Sequence, residues 1–261
     1  MRYIIEHLLR FLSRHIIKKY DPDIVGITGS TGKTAVKDMV VRILQGRFRV
    51  IGSIESCDAR IGLPLAIIGR KPAVFFGWIS VIARALKLCL TKNEDYPDVF
   101  VFEMSAIKPG DLKYLTDIAP CQVGVVTSAM AVDSSLNKTM RKIGQENRWM
   151  VSQLPKTGFA VLNRDEDEVF QMAKKTEADL VTFGFHSESD VRASDASFKA
   201  SFENPEYSSV IFKVTYKGSV VPFHLPVVQK EQDIYYALAA IAATLVFGMN
   251  LVEISHILKK A

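Results

Sequence analysis

The sequence predicts an α/β fold, with a mostly parallel P-loop-type sheet, helices on both faces and a small appended antiparallel sheet. Three observations predict it. Short apolar runs alternate with helical stretches along most of the chain, and a glycine-rich loop follows the first of these runs. After Asp190, polar and apolar residues alternate with a period of two, which is typical of antiparallel strands.

Five apolar runs are predicted as buried strands, because turn or polar residues bound each of them. They cover residues 24–27, 99–102, 122–127, 159–162 and 180–183. Helical periodicity predicts helices at 33–44, 79–90, 110–118, 138–153 and 166–175. Because strands and helices alternate, the strands are expected to be mostly parallel and covered on both faces.

The predicted antiparallel part covers residues 191–227, with a turn at Lys217 and Gly218. An alanine-rich helix is expected at 234–247, and a last helix at 252–260. We find no repeat, low-complexity tract or flexible linker, so residues 22–261 are interpreted as one domain.

Charge and cysteine content exclude several classes of protein. The net charge of +5 arises from basic residues that are scattered rather than clustered, so no nucleic-acid partner is expected. The three cysteines, Cys57, Cys89 and Cys121, are also far apart in the sequence. They are interpreted as reduced thiols of a cytoplasmic protein, without a metal knuckle.

Residues 1–21 are predicted as an amphipathic helix, with Leu8, Leu12 and Ile16 on its apolar face and Arg10 and Arg14 on the other side. Two interpretations remain open. We favour a helix docked on the core of the domain. The alternative is peripheral contact with an anionic membrane surface, which would place the protein at the inner face of a membrane.

The loop from Thr28 to Thr34 (Thr-Gly-Ser-Thr-Gly-Lys-Thr) is predicted to bind the phosphates of ATP. It follows a predicted strand and begins a helix, the context in which such a glycine pattern is informative. Its backbone amides and the helix N-terminus can hold phosphate oxygens. Lys33 is then expected to reach the β- and γ-phosphates, and Thr34 to bind Mg²⁺. The predicted cofactor-binding residues of the loop are Gly29, Ser30, Thr31, Gly32, Lys33 and Thr34.

Isoleucine at position 27 makes the loop a variant, because the standard pattern has glycine there. Ile27 to Thr34 resembles the signature of the Mur ligases, the muramyl-peptide ligases. Three further segments are similar to conserved segments of that family: Arg60 to Leu65, Phe102 to Asp111 and Leu154 to Asp165. The resemblance is to the central ATP-binding domain, most of all to that of the D-alanyl-D-alanine-adding enzymes.

This resemblance implies an ATP- and Mg²⁺-dependent amide ligase of peptidoglycan precursor synthesis. The expected partners are a muramyl-peptide or other carboxylate substrate and an amine acceptor. Glu103 ends the predicted strand at 99–102, and a carboxylate at the carboxyl end of a buried strand beside a phosphate loop is typical of a magnesium ligand. Lys33 and Glu103 are therefore the catalytic candidates, with Thr34 and Glu103 as ligands of the first metal. Asn163 and Asp165 are expected to lie near the nucleotide and to be further cofactor-binding residues.

Several residues depart from the family pattern. The Thr-Asn-x-x-x-x-His segment of the family corresponds here to Thr127 to Asp133, with Ser128 at the asparagine and Asp133 at the histidine. Asp133 is kept as a candidate metal ligand, because it supplies oxygen in place of nitrogen. Asn147 stands where the family has a carbamylated lysine, so the second metal site is predicted to be degenerate. The stretch from Gln229 to Gln232 also departs from the family's Gly-x-His pattern.

The N-terminal (UDP-binding) and C-terminal domains of the family are expected to be absent from this chain, so a separate lid or partner protein is a further expected partner. Three functional hypotheses remain open. The first is a Mur-type amide ligase, and the second is a catalytically impaired nucleotide-binding module that regulates or scaffolds a partner. The third is another P-loop kinase or NTPase.

Overall fold

The computed structural model describes residues 2–53, 59–71, 77–106, 108–128, 138–200, 208–228 and 230–259. The helices are α1 Arg2–Tyr20, α2 Lys33–Leu44, α3 Ala59–Ile68, α4 Gly77–Leu90, α5 Asp111–Ile118, α6 Lys138–Ser152, α7 Asp167–Phe170, α8 Gln232–Leu245 and α9 Leu251–Lys259. The strands are β1 Asp23–Thr28, β2 Val50–Gly52, β3 Val99–Glu103, β4 Val123–Val126, β5 Phe159–Asn163, β6 Asp179–Gly184, β7 Val191–Ala200, β8 Ser208–Tyr216 and β9 Ser219–Val228.

These nine strands form a single sheet in the order β2-β3-β1-β4-β5-β6-β7-β8-β9. Strands β1 to β6 are parallel, and β7 continues the sheet with a short parallel pairing to β6. The pairs β7–β8 and β8–β9 are antiparallel. The predicted fold class is therefore confirmed, and the antiparallel part is an extension of the same sheet.

Helices cover both faces of the sheet because its central strands are apolar on both sides. In β1, Val25 and Ile27 belong to the core beneath α2 and α8, and Ile24 belongs to the core on the opposite face. In β3, Val101 and Phe102 divide between the two cores in the same way. Successive side chains of a strand point to opposite faces, so continuous apolar runs were the correct signal for these strands.

The first helix packs on the second of these cores. Leu9, Leu12 and Ile16 are buried there, against α3, α4 and α5. Arg10 forms an ion pair with Asp117 of α5, at 3.1 Å. The helix is thus docked on the domain along most of its apolar face, whereas Leu8, predicted on that face, is exposed at its edge. Over the described ranges, no helix combines the length and apolar character needed to cross a bilayer.

Two elements of the fold were not predicted, β2 and α3. Strand β2 has three residues, too few for a periodic signal. Helix α3 contains Pro64, and a proline inside a helix normally argues against one. The predicted helix at 166–175 begins as α7 and continues as a 3₁₀ helix over Gln171–Lys175.

Candidate functional site

The glycine-rich loop lies at the point where the strand order reverses. From β1 the chain crosses to β2 and β3 on one side, then to β4 on the other. The crevice at the carboxyl end of β1 therefore lies between the ends of β3 and β4, the usual position of ligands in open parallel sheets. Gly29 to Gly32 fill this turn, and α2 begins at Lys33.

Both glycines of the loop adopt backbone conformations that other residues rarely take. Gly29 has φ 132° and Gly32 has φ 76°, and Gly32 is the N-cap of α2. Each also lies against a neighbour: a Cβ on Gly29 would be 2.3 Å from Thr127 Oγ1, and one on Gly32 would be 2.0 Å from the ring of Tyr236. The pattern of glycines thus reflects both backbone conformation and close packing.

Ser128, just beyond the end of β4, holds the loop in place. Its hydroxyl lies 2.7 Å from Ser30 Oγ and 3.2 Å from Thr31 Oγ1, and it accepts a hydrogen bond from Thr31 N at 3.1 Å. The backbone N–H of Ser30 also donates to the carbonyl of Ser128, at 3.3 Å. The sequence marked Ser128 only as a replacement of asparagine, whereas the structure shows that it contacts two loop residues.

The three residues with predicted chemical roles lie together at this site. Lys33 Nζ donates to the carbonyl of Gly29 at 2.8 Å, which folds its side chain back over the loop. Thr34 Oγ1 donates to Glu103 Oε2 at 2.8 Å, and Ser105 Oγ contacts the other carboxylate oxygen at 3.3 Å. A hydroxyl and a carboxylate oxygen at this separation suit Mg²⁺, which prefers oxygen ligands. The residues present therefore fit a magnesium ion beside the phosphate loop.

Asn163 and Asp165 form internal hydrogen bonds beyond the end of β5. Asn163 is buried, and its Oδ1 accepts a hydrogen bond from the backbone of Asp165 at 3.0 Å. The Asp165 carboxylate itself accepts three hydrogen bonds. They come from the backbone N–H of Phe185 at 2.7 Å, the backbone N–H of His186 at 2.9 Å and Tyr235 OH at 3.0 Å. Burial, and then this contact with Asp165, raise the pKa of Tyr235. Both residues therefore brace the loops around them.

Helix α8 links this braced region to the phosphate loop. Tyr235 binds Asp165, while the next residue, Tyr236, packs on Gly32. Sequence reasoning missed both tyrosines, because their partners are distant in the chain. The structure thus brings Glu103 directly to the loop, whereas Asp165 is connected to it through α8.

Asn147, predicted from the sequence motifs as a departure from the family pattern, is buried on α6. Its Oδ1 accepts a hydrogen bond of 2.8 Å from Thr28 Oγ1, at the end of β1. Asp133, the third candidate metal ligand after Thr34 and Glu103, lies outside the described residues, as does Gln229. In the part of the chain that is described, no group of three or more His, Cys, Asp or Glu side chains could hold a metal ion.

Two of the resembling segments also meet in space. Arg60 of α3 binds Asp111 at the start of α5, with its Nη2 and Nε at 2.7 and 3.0 Å from Oδ1. Glu146 of α6 accepts hydrogen bonds from the backbone of Gly110 and Leu112, at 2.9 and 3.2 Å, and so caps α5. These contacts give the two segments a structural role, because they join α3, α5 and α6.

Comparison with known proteins identifies the family and the fold. A family model described as the Mur ligase middle domain matches residues 27–244. The chain is 29% identical over 174 residues to a UDP-N-acetylmuramoyl-tripeptide–D-alanyl-D-alanine ligase of Mycobacterium bovis, which covers 67% of this chain and 30% of that protein. It is 25% identical over 222 residues to a UDP-N-acetylmuramoyl-L-alanyl-D-glutamate–2,6-diaminopimelate ligase of Chlamydia abortus, covering 85% of this chain and 42% of the relative.

Solved structures show the same fold. MurF from Acinetobacter baumannii superposes with a TM-score of 0.75 at 18% identity, over 97% of this chain and 49% of that one. MurF ligase from Thermotoga maritima, in complex with ADP, gives a TM-score of 0.73 at 20% identity, over 96% and 52%. The chain thus spans about a third to a half of the length of these relatives. The resemblance deduced from the sequence motifs is confirmed.

Proposed function

Because the chain belongs to the family of Mur ligase middle domains, we propose that it is the Mg-ATP-binding module of an amide ligase of peptidoglycan precursor synthesis. One observation carries this proposal. The Thr34 hydroxyl and the Glu103 carboxylate meet at 2.8 Å beside a complete phosphate loop, at the strand-order reversal of a parallel sheet.

The loop is suited to bind the triphosphate. Its positive-φ glycines form the tight turn into the N-terminus of α2, where the helix dipole favours negative charge. Lys33 binds a carbonyl of the loop at 2.8 Å, so its ammonium group is already at the loop and needs only to exchange that carbonyl for a phosphate oxygen. One of the solved relatives was crystallised with ADP, which supports this role.

Thr34 and Glu103 are proposed as the magnesium ligands. When bound, the ion neutralises charge on the phosphates during phosphoryl transfer. Glu103 is positioned for this because its backbone N–H bonds to Ser53 Oγ at 3.1 Å and its side chain bonds to Thr34. Asp133 stays a prediction as a further ligand.

The proposed reaction is that of the relatives, which their names describe as ligases of UDP-N-acetylmuramoyl peptides. A substrate carboxylate attacks the γ-phosphorus of ATP, which gives an acyl phosphate and ADP. An amine then attacks the acyl carbon and expels phosphate, losing a proton as the amide forms. We propose a muramyl-peptide or similar carboxylate, an amine acceptor and a cytoplasmic location, with a separate lid or partner protein completing the site.

A second candidate function is favoured by Asn147. This residue is neutral and buried, and its carbonyl oxygen already accepts the hydrogen bond of Thr28. Where the family resemblance implies a carbamylated lysine, this chain supplies no negative charge. A module that binds nucleotide without turnover, and regulates or scaffolds a partner, follows from that substitution.

Both candidate functions require that the phosphate loop binds Mg-ATP, and calorimetric titration tests this binding. The wild type should bind, and Lys33→Ala should bind at least about tenfold more weakly, because a charge-assisted contact to phosphate is lost. Lys156→Ala is a matched control, since Lys156 is an exposed surface lysine. Glu103→Gln should abolish the gain in affinity that Mg²⁺ gives the wild type. Equal affinities of the wild type and Lys33→Ala contradict nucleotide binding through this loop.

Measuring ADP release separates the two candidates. Release that requires both a muramyl peptide and an amine, with or without an added lid protein, supports the ligase. Binding without such release supports the regulatory module. Repeated ATP turnover in the absence of both a carboxylate substrate and an amine would instead favour a kinase or NTPase.

A further inference from the structure

The exposed apolar side chains of the molecule are concentrated on two neighbouring helices. Of the twelve large apolar side chains that are exposed among the described residues, half lie on α1 and α4. These are Ile4, Leu8, Phe11, Ile79, Leu86 and Leu90. Their spacing puts each set of three along one side of its helix. We call this surface the α1–α4 face.

Contacts between α1 and α4 hold the two helices side by side. Cys89 Sγ of α4 contacts the carbonyl of Leu12 at 3.9 Å. Lys19 Nζ donates to three carbonyls at the end of α4, those of Leu88, Cys89 and Thr91, at 2.9, 3.0 and 2.8 Å. On a helix, residues three or four apart are neighbours, so Leu8 adjoins Leu12 and Leu86 adjoins Cys89. One member of each apolar row therefore lies beside the contact between the helices.

The net positive charge of the chain is concentrated on the same two helices. Helices α1 and α4 contain seven basic residues and one acidic residue, Glu6, which gives six net positive charges. The whole chain has a net charge of +5, so the remainder is close to neutral. Arg14, Lys18 and Lys87 are exposed. An apolar face rimmed by basic side chains complements a surface that is both anionic and apolar.

A groove lies on the other side of α1, between this helix and Asp117 and Ile118 of α5. It has a volume of about 780 Å³, and Arg14 and Lys18 line it together with the Arg10–Asp117 ion pair. Phe11 lines the same groove and is 59% exposed. Basic and apolar side chains of α1 thus open onto one space, as needed to bind an anionic headgroup beside its acyl chains.

We propose that the α1–α4 face binds peripherally to the surface of an anionic lipid bilayer. The exposed apolar side chains enter the boundary between headgroups and acyl chains, and the basic side chains contact the headgroups. The face is preformed, because Leu9, Leu12 and Ile16 fix α1 on the domain core. This proposal concerns a surface outside the phosphate loop and holds whether or not the module turns over ATP.

Vesicle co-sedimentation of the whole chain tests the proposal. Binding to vesicles of phosphatidylglycerol and phosphatidylcholine should exceed binding to pure phosphatidylcholine by about tenfold or more, and should weaken at high salt. The double variant Phe11→Asp/Leu86→Asp should bind about tenfold less. Arg14→Glu/Lys18→Glu should lose the preference for anionic vesicles. Both positions of each variant are exposed, so circular dichroism should show an unchanged fold.

Val252→Asp is the matched control, because Val252 is an exposed apolar residue of α9. It should bind vesicles as the wild type does. The proposal is overturned if the wild type fails to bind anionic vesicles. It is also overturned if all three variants bind these vesicles as tightly as the wild type does. It is also overturned if the wild type forms a dimer that Phe11→Asp/Leu86→Asp dissolves while vesicle binding is absent. That result would assign the face to a second copy of the chain.

Discussion

Breaking the buried hydrogen bond between Thr28 and Asn147 should destabilise the protein by a predictable amount. The two side chains are 2% and 7% exposed, and the Oγ1–Oδ1 distance is 2.8 Å. Asn147→Ala removes the acceptor and leaves a buried hydroxyl without it, which costs about 2 kcal/mol. For a domain of this size, that corresponds to a fall in Tm of about 4–8 °C.

A double-mutant cycle isolates the bond itself. Thr28→Val should cost about 1–2 kcal/mol, because it leaves the Asn147 oxygen without its donor. The double variant should cost less than the sum of the single variants, by about 1 kcal/mol. Urea unfolding followed by circular dichroism measures each free energy of unfolding.

Thr244→Val provides the control for this cycle. Thr244 is also buried, but its hydroxyl donates to the carbonyl of Ala240 in its own helix, at 2.9 Å. Its cost should add to that of Asn147→Ala without coupling. Full additivity between Thr28→Val and Asn147→Ala would refute the bond. The assignment of Asn147 to a structural role at the site would fall with it.

Three further predictions concern the loop, acid stability and thiol reactivity. Gly32→Ala should lower the free energy of unfolding more than Gly110→Ala does. Both glycines have positive φ, but only a Cβ at position 32 would lie against an aromatic ring. Equal decreases in unfolding free energy, measured by urea denaturation, would contradict that contact. The Arg49 side chain, chiefly by its hydrogen bond, lowers the pKa of Asp98 below 3.8. A carboxyl group whose pKa is lower in the folded than in the unfolded state stabilises the fold above its unfolded-state pKa. The wild type should therefore be more stable than Asp98→Asn above about pH 4, and this difference should disappear as the pH falls through the lowered pKa. A difference in Tm that stays constant down to about pH 2 would contradict the prediction. Burial raises the pKa of the Cys121 thiol to about 12, so maleimide at pH 8 should leave it unmodified in the native protein. Mass spectrometry of the peptide that contains Cys121 measures this. Labelling as fast as in the unfolded chain would contradict the prediction.

The sequence by itself determined those features of this protein whose signals are local. The phosphate loop could be identified because Gly29, Gly32, Lys33 and Thr34 are close in the chain and follow an apolar strand. Glu103 could be assigned to the same site because parallel strands present their carboxyl ends at one edge. Continuous apolar runs predicted the parallel strands, and alternation after Asp190 predicted the antiparallel ones.

Only the tertiary structure decided which distant residues share the site. Thr28 and Asn147 are 119 positions apart, and Ser128 is 98 positions from Ser30. Tyr236 reaches Gly32 through the packing of α8 on α2. Such contacts depend on strand order and helix packing, which arise from burial summed over the whole chain and leave no periodic trace at any one residue. For the same reason, the sequence revealed α1 as amphipathic, but only its packing against α4 created one apolar, basic face.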